Sequence, residues 1–190
     1  MNKKTRLIIG MTGSSGVTLG VRLMRVLKDK PHVETHLVIS SNAAKVIQSE
    51  TSYRRADVEA LANFAYEESN LEAPLASGSF LTSGMIVAPC SMKTLAGIAN
   101  GYSENLILRA ADVTLKEGRK LLLLVRESPL SAIHLENMLK LARLGVVILP
   151  PVPGFYARPR KMDDIIDFTV GRILDVFQIE HTLFTRWGEK

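Results

Sequence analysis

The stretch Arg6-Leu-Ile-Ile-Gly-Met-Thr-Gly-Ser-Ser-Gly16 places the hydroxyls of Thr12, Ser14 and Ser15 beside Gly13 and Gly16, where a short apolar run gives way to a helical pattern. That layout suits an anion. The glycines let backbone N–H groups approach a phosphate closely, and the amino end of the helix expected over Val17 to Leu27 would turn its partial positive charge toward it. A nucleotide or a flavin is therefore the first ligand class implied. The chain has no Gly-Lys dipeptide, so the ammonium that a Walker A loop brings to the β- and γ-phosphates is missing, which argues against an NTPase. Gly10, Gly13 and Gly16 are spaced by three, unlike G-x-G-x-x-G. The second strand, Thr35 to Ile39, ends in Ser40-Ser41-Asn42 rather than in the acid that takes ribose hydroxyls, so a mononucleotide such as FMN fits better than NAD. The same glycines could equally serve a tight strand-to-helix turn and nothing more.

Other apolar runs also end in polar or aromatic groups. Pro89-Cys90-Ser91-Met92-Lys93-Thr94 follows Met85 to Ala88, Arg126-Glu127 follows Leu121 to Val125, and Pro151-Val-Pro-Gly-Phe-Tyr156 follows Val146 to Leu149. Ser91 could simply cap the next helix, and Arg126 with Glu127 could be a plain salt bridge. Cys90 has no histidine near it in sequence and reads as a small buried hydrophobe rather than a nucleophile. His32, His36, His134 and His181 show no metal spacing; His134 and the methionines at helical spacing read as structural, and Trp187 as a packing or interface residue.

The elements that must position these groups alternate. Helical periodicity recurs over Ala43–Ser49, Ala56–Phe64, Ser91–Ala99, Asn105–Lys116, Ser131–Arg143 and Asp163–Phe177, between the apolar runs. Strands separated by helices predict a three-layer, Rossmann-like (flavodoxin-like) α/β fold: a parallel sheet with helices on both faces and ligands at the carboxyl ends of the strands. With 190 residues, 46% of them hydrophobic, the chain reads as one flavin-binding domain over 1–190. A lone cysteine fits a reducing compartment. The basic start, Met1 to Arg6, precedes an apolar stretch too short for a signal peptide, and no run approaches the roughly 18 residues of a membrane span. A cytoplasmic protein with no membrane partner is expected. The net charge of +5 is dispersed, with Arg158, Arg160 and Lys161 as a tight group and no interleaved aromatics, which favours small anionic ligands over nucleic acid.

Thr12-Gly-Ser-Ser-Gly16, Pro89-Cys-Ser-Met-Lys-Thr94, Arg109-Ala-Ala-Asp-Val113, Leu115-Lys-Glu117, Arg126-Glu-Ser-Pro-Leu130, His134-Leu-Glu-Asn-Met138 and Pro153-Gly-Phe-Tyr156 occur in an order and spacing that resembles the UbiX-type flavin prenyltransferases. The likeness extends to Arg186-Trp187, and is greatest to the branch encoded beside hydroxybenzoate or phenolic-acid decarboxylases. It implies a metal-independent transfer of a dimethylallyl group from dimethylallyl phosphate, mono- or diphosphate, to N5 and C6 of reduced FMN. Prenylated FMN is released to a separate UbiD-type decarboxylase. Matched motif by motif, Gly13, Ser14, Ser15, Ser40, Ser91, Met92, Lys93, Thr94 and Arg126 would contact FMN. Arg109, Lys116, Tyr156 and Arg172, with Glu127, would surround the prenyl phosphate. A homo-oligomer, a dodecamer with sites between subunits, is also implied.

The residue types suit that reaction. Breaking an allylic C–O bond builds negative charge on the departing phosphate, so Lys116, Arg172 and the Tyr156 hydroxyl would stabilise the transition state more than the ground state. Glu127 among cations suits an anion site when it carries a proton for the leaving phosphate. Ser15 and Glu50 are the pair the resemblance assigns to removing protons from the flavin adduct; by itself, Glu50 reads as a solvated helix-end carboxylate. The sequence departs from the common pattern at Thr18-Leu19, where many members carry an aromatic before the next glycine. Two other classes stay open at this level: an FMN carrier or electron-transfer flavoprotein, and a flavoprotein decarboxylase of the cysteine type, whose Pro-x-Met-Asn loop is absent here.

Overall fold

A computed structural model describes residues 4–188; residues 1–3 and 189–190 of the expected 1–190 domain lie outside the described residues. The first strand, β1 (Thr5–Met11), shows why the sheet is covered on both sides. Its two-residue alternation sends Leu7, Ile9 and Met11 into one apolar cluster and Ile8 into another, and all are buried. The same holds along β2 (Val33–Ile39), β4 (Gly84–Cys90) and β5 (Lys120–Val125), which with the short β3 (Phe64–Tyr66) and β6 (Val147–Ile148) complete the sheet. Its order is β3-β2-β1-β4-β5-β6, and every neighbouring pair is parallel.

On one face lie α1 (Val17–Lys28), α2 (Ser41–Glu50), α3 (Arg55–Glu59) and α7 (Met162–Val176), which bury Leu23, Ile47, Val58 and Ile173 against Ile9 and Leu37. On the other lie α4 (Met92–Ala99), α5 (Leu106–Lys116) and α6 (Ala132–Arg143), which bury Leu95, Ile107 and Leu141 against Met85 and Leu123. This is the three-layer, Rossmann-like α/β fold expected from the strand and helix alternation. A two-pronged ion pair fixes α7 on α1: Arg22 Nε and Nη2 reach the Asp167 carboxylate at 2.6 and 3.1 Å.

One expected element is different. The helix predicted over 56–64 stops at Glu59, and Phe64 opens β3 instead. Asn63 supplies the cause. Its Oδ1 accepts from Thr35 N–H at 2.8 Å, and its own N–H donates to Thr35 Oγ1 at 3.1 Å, a clip that turns the chain alongside β2. Phe64 and Tyr66 then stack on buried His36, with ring centroids 4.8 and 5.8 Å away. A three-residue strand held by long-range contacts leaves no alternation to detect.

Candidate active site

The strand order reverses between β1 and β4, and their carboxyl ends open a cleft of about 430 Å³, within the range of small-ligand sites. Thr12 and Gly13 form its floor; Ser40 to Asn42, Ser91 with Lys93 and Thr94, and Asn105 with Leu108 bring the amino ends of α2, α4 and α5 to its walls. Each helix start is made by its own cap. Ser40 Oγ accepts from Ala43 N–H at 3.1 Å, Ser91 Oγ from Thr94 N–H at 3.3 Å, and Asn105 Oδ1 from Leu108 N–H at 3.0 Å. None of α1, α2, α4 or α5 has an acid in its first turn, so no helix neutralises the positive end of its own dipole.

Carboxylates reach two of these ends from elsewhere in the chain. Glu50 Oε2 accepts from Gly16 N–H at 2.8 Å at the start of α1. Glu68 Oε1 accepts from Ser41 N–H at 2.8 Å and from the Ser41 hydroxyl at the start of α2. The donors around the cleft thus take anionic oxygens.

The loop itself is fixed by two close approaches. Thr12 Oγ1 donates to Pro89 O and accepts from Ser91 N–H, both at 2.8 Å, locking the end of β1 to the end of β4. Gly13 lies against the first turn of α2, where a Cβ would sit 2.5 Å from Asn42 Cβ. Gly16 turns the chain into α1 at φ +95°, in the left-handed region. Within the loop, Ser14 Oγ is buried and has no hydrogen-bond partner among the described residues. Leaving such a hydroxyl unpaired costs about 1–3 kcal/mol, and an oxygen of a bound phosphate would satisfy it. A flavin phosphate fits this cradle on that ground.

Ser15 lies in the same loop, exposed, and the aliphatic stem of Arg126 approaches the loop at Gly16, its Cγ 3.9 Å from where a Gly16 Cβ would lie. Glu127 follows on the exposed rim, its Oε1 accepting from Ser128 N–H at 3.0 Å. Lys93 Nζ stands 4.0 Å from Glu104, Met92 is half-buried beside it, and Thr94 is hydrogen-bonded to Ser91 at 3.1 Å.

Of the expected residues, Gly13, Ser40, Ser91, Lys93 and Thr94 line the cleft, while Ser14, Ser15, Glu50, Met92, Arg126 and Glu127 do not themselves line it, and neither do the other four. α5 runs antiparallel to the strands, so Lys116 at its end lies by the amino edge of the sheet, paired with Glu117 and next to Gly78. Arg109, on the first turns of α5, is held by Asp112 at 2.8 Å and Ala76 O at 3.1 Å. Tyr156, in a single 3-10 turn (Phe155–Ala157), packs edge-on to Phe168 at 5.8 Å and Trp187 at 5.3 Å. Arg172, on α7, donates to Asp175 at 3.0 Å.

Asn42, Glu68 and Asn105 line the cleft without having been singled out. Asn105 carried a usable signal as the cap before an apolar helix; Glu68 did not, because it follows the undetected β3. Cys90 is wholly buried, and burial raises its thiol far above the ordinary range, so it stays protonated. His134 Nδ1 accepts from Ser131 N–H at 3.3 Å in a reciprocal cap of α6, a structural use of the ring. Among the described residues no cluster of His, Cys, Asp and Glu could hold a metal ion, and no helix is long and apolar enough to cross a membrane.

The Flavoprotein family is matched over residues 1–174. A probable UbiX-like flavin prenyltransferase of Escherichia coli O157:H7 is 56% identical over 182 residues, covering 96% of this chain and 92% of that protein. Among solved structures, a dodecameric FMN-dependent UbiX-like decarboxylase from Escherichia coli O157:H7 superposes with a TM-score of 0.95 at 55% identity, covering 96% of this chain and 99% of that one. AnUbiX (PadA1) in complex with FMN and dimethylallyl pyrophosphate gives 0.95 at 48% identity, covering 98% and 99%. Since both the parallel-sheet architecture and about half of the residues are shared with these proteins over nearly their full length, the chain belongs to the UbiX-like flavin prenyltransferases.

Proposed function

We propose that this protein transfers a dimethylallyl group from dimethylallyl phosphate to N5 and C6 of reduced FMN and releases prenylated FMN. The observation that carries the flavin half of this reading is the buried, unpartnered Ser14 hydroxyl next to Gly13, which itself lines a cleft ringed by helix amino ends. Gly13, Ser14, Ser15, Ser40, Ser91, Met92, Lys93, Thr94 and Arg126 hold FMN. Flavin supplies the nucleophilic ring atoms, and the chain's residues manage charge and protons. As the allylic C–O bond breaks, Arg109, Lys116, Tyr156 and Arg172 stabilise the charge on the departing phosphate, and Glu127 gives it a proton. Glu50, already placed on Gly16 N–H, takes with Ser15 the N5 and C6 protons as the new bonds form; one of these is returned to the prenyl double bond, which must be protonated for the bond to C6 to close, and the other makes good the proton Glu127 gave to the phosphate. No metal is needed for this division of labour, since the chain's own cations meet the phosphate.

Lys116, Arg109, Tyr156 and Arg172 stand apart from the cleft of their own chain, and a homo-oligomer, a dodecamer, would bring them to the cleft of a neighbouring copy. The dodecameric relative supports that arrangement. The reading extends to a cytoplasmic, single-domain enzyme whose product serves a UbiD-type aromatic-acid decarboxylase through solution. Anaerobic incubation with reduced FMN and dimethylallyl phosphate, followed by mass analysis of the released flavin, tests it. A gain of one C5H8 unit, and activation of an apo-decarboxylase by the protein-free filtrate, are expected. An unchanged flavin mass, with CO2 released from an aromatic acid by this chain and FMN alone, would instead select a decarboxylase.

A further inference from the structure

Near the end of α7 a single carboxylate gathers three donors. Asp175 Oδ2 accepts from Arg172 Nη1 at 3.0 Å, while Oδ1 accepts from Arg186 Nη2 at 2.7 Å and faces His181 Nε2 at 3.1 Å. The tautomer of His181 follows from its other nitrogen. Leu183 N–H points at Nδ1 from 3.2 Å, so Nδ1 is the acceptor and Nε2 carries the hydrogen it gives to Asp175. His181 is almost fully buried, with 2% of its side chain exposed, whereas Arg172 is 51% exposed and Arg186 41%. The node is thus rooted in the protein, with the Arg172 guanidinium half-exposed.

The segment that supplies His181 and Arg186 lies flush on α7. A Cβ at Gly171 would come within 2.5 Å of Phe184 and 2.7 Å of His181, so only glycine admits this packing beside Arg172. Farther along the same segment, Trp187 meets the Tyr156 ring edge-on at 5.3 Å. One short stretch therefore touches both Tyr156 and the partner of Arg172. Partial burial opposes ionisation of Asp175, but the hydrogen bonds from Arg186 and His181 outweigh it and hold its pKa below the ordinary value. Asp175 takes the Arg172 guanidinium through Nη1 and leaves that side chain half-exposed, so it can orient Arg172 while a phosphate still reaches it.

We propose that Asp175 is a positioning residue for prenyl transfer: it fixes the Arg172 guanidinium directly and, through His181 and Arg186, seats the 181–187 segment against Tyr156. This rests on the reading of Arg172 and Tyr156 as ligands of the prenyl phosphate. A long, half-exposed arginine held in place before its ligand arrives loses less rotamer freedom on binding, and the gain falls on affinity for the phosphate substrate rather than for FMN.

The test is a double-mutant cycle on the intact protein with reduced FMN and dimethylallyl phosphate. Asp175→Asn should raise KM for dimethylallyl phosphate about tenfold, the worth of a charged hydrogen bond, with FMN affinity unchanged by flavin fluorescence. Arg172→Gln should raise KM at least as much, and the double variant should fall well short of the two effects combined, because Asp175 acts largely through Arg172 and for the rest through the 181–187 segment. Should Asp175→Asn fail to fold, Arg186→Gln removes the exposed side of the node and spares the buried one; a raised KM with normal FMN binding is expected of it too. A KM at the wild-type value in whichever of these folds, or an Asp175→Asn effect that adds in full to that of Arg172→Gln, would overturn the role of Asp175 alone. An unaltered KM in Arg172→Gln would overturn the ligand reading and this role with it.

Discussion

Gly13→Ala tests whether the loop after β1 and the start of α2 form one rigid cradle. The added methyl would lie 2.5 Å from Asn42 Cβ, 3.2 Å from its carbonyl carbon and 3.4 Å from its Cα. Ordinary carbon contact is about 3.5–4.0 Å, so the methyl is at least ~1 Å too close. Two of the three opposing atoms are backbone, so no rotamer change relieves the contact; the loop or the first turn of α2 must move. Overpacking of this kind costs about 1–3 kcal/mol. At about 2–4 °C per kcal/mol for a chain of this size, the melting temperature should fall by about 2–12 °C. The same displacement pulls the Ser14 loop away from Ser40 and Asn42 across the cleft, and FMN affinity should fall on the order of tenfold, the worth of one hydrogen bond to a charged group. Gly16→Ala is the contrast. Its Cβ would meet nothing nearer than Leu19 Cδ1 at 3.7 Å, leaving the strain of φ +95°, about 1–2 kcal/mol for a residue with a Cβ. Because the nearest atom to the Gly13 methyl is Asn42 Cβ, Asn42→Gly should recover much of the loss, with a coupling energy of about 1 kcal/mol or more. Thermal melts and FMN titration of the four members of the cycle give the answer. Wild-type values in Gly13→Ala, or no coupling to Asn42→Gly, would refute the cradle.

Glu127→Gln retains shape but has no acidic proton, so single-turnover prenyl transfer should slow on the order of 10² with near-normal FMN binding; an unchanged rate would leave Glu127 an exposed residue that only holds Ser128 N–H. Thr12→Val keeps the volume but breaks the link between Pro89 O and Ser91 N–H; a loss of about 1–3 kcal/mol in denaturant unfolding is expected, and full stability would show that the two strand ends hold together without it. Burial lowers the pKa of His36 from its ordinary 6.5, against the opposing pull of Glu34. The folded state then binds fewer protons than the unfolded one as pH falls below that value, so the His36 contribution is present above it and is lost on acidification. The melting temperature should fall between about pH 7 and pH 5, and His36→Gln should flatten the profile; an equal slope in the variant would contradict this.

The sequence by itself determined the parts of this protein that depend on near neighbours. The apolar runs of Leu7 to Met11 and Leu121 to Leu124 made strands, the 3.6-residue pattern of α1 and α5 made helices, and Ser40, Ser91 and Asn105 capped helices as hydroxyls and amides do. Those effects act within a few residues, and so they are written in short windows of sequence. Tertiary structure decided what depends on distant neighbours. β3 exists because Asn63 is clipped to Thr35, Gly13 is required by Asn42, and the Glu50 carboxylate sits on Gly16 N–H across 34 positions of sequence. The antiparallel course of α5 sends Lys116 to the edge of the sheet opposite the cleft although its motif lies among those of the flavin loop. Sequence spacing orders the motifs along the chain; the packing of helices on a parallel sheet determines which of them share an edge, because it fixes the direction in which every connection must run.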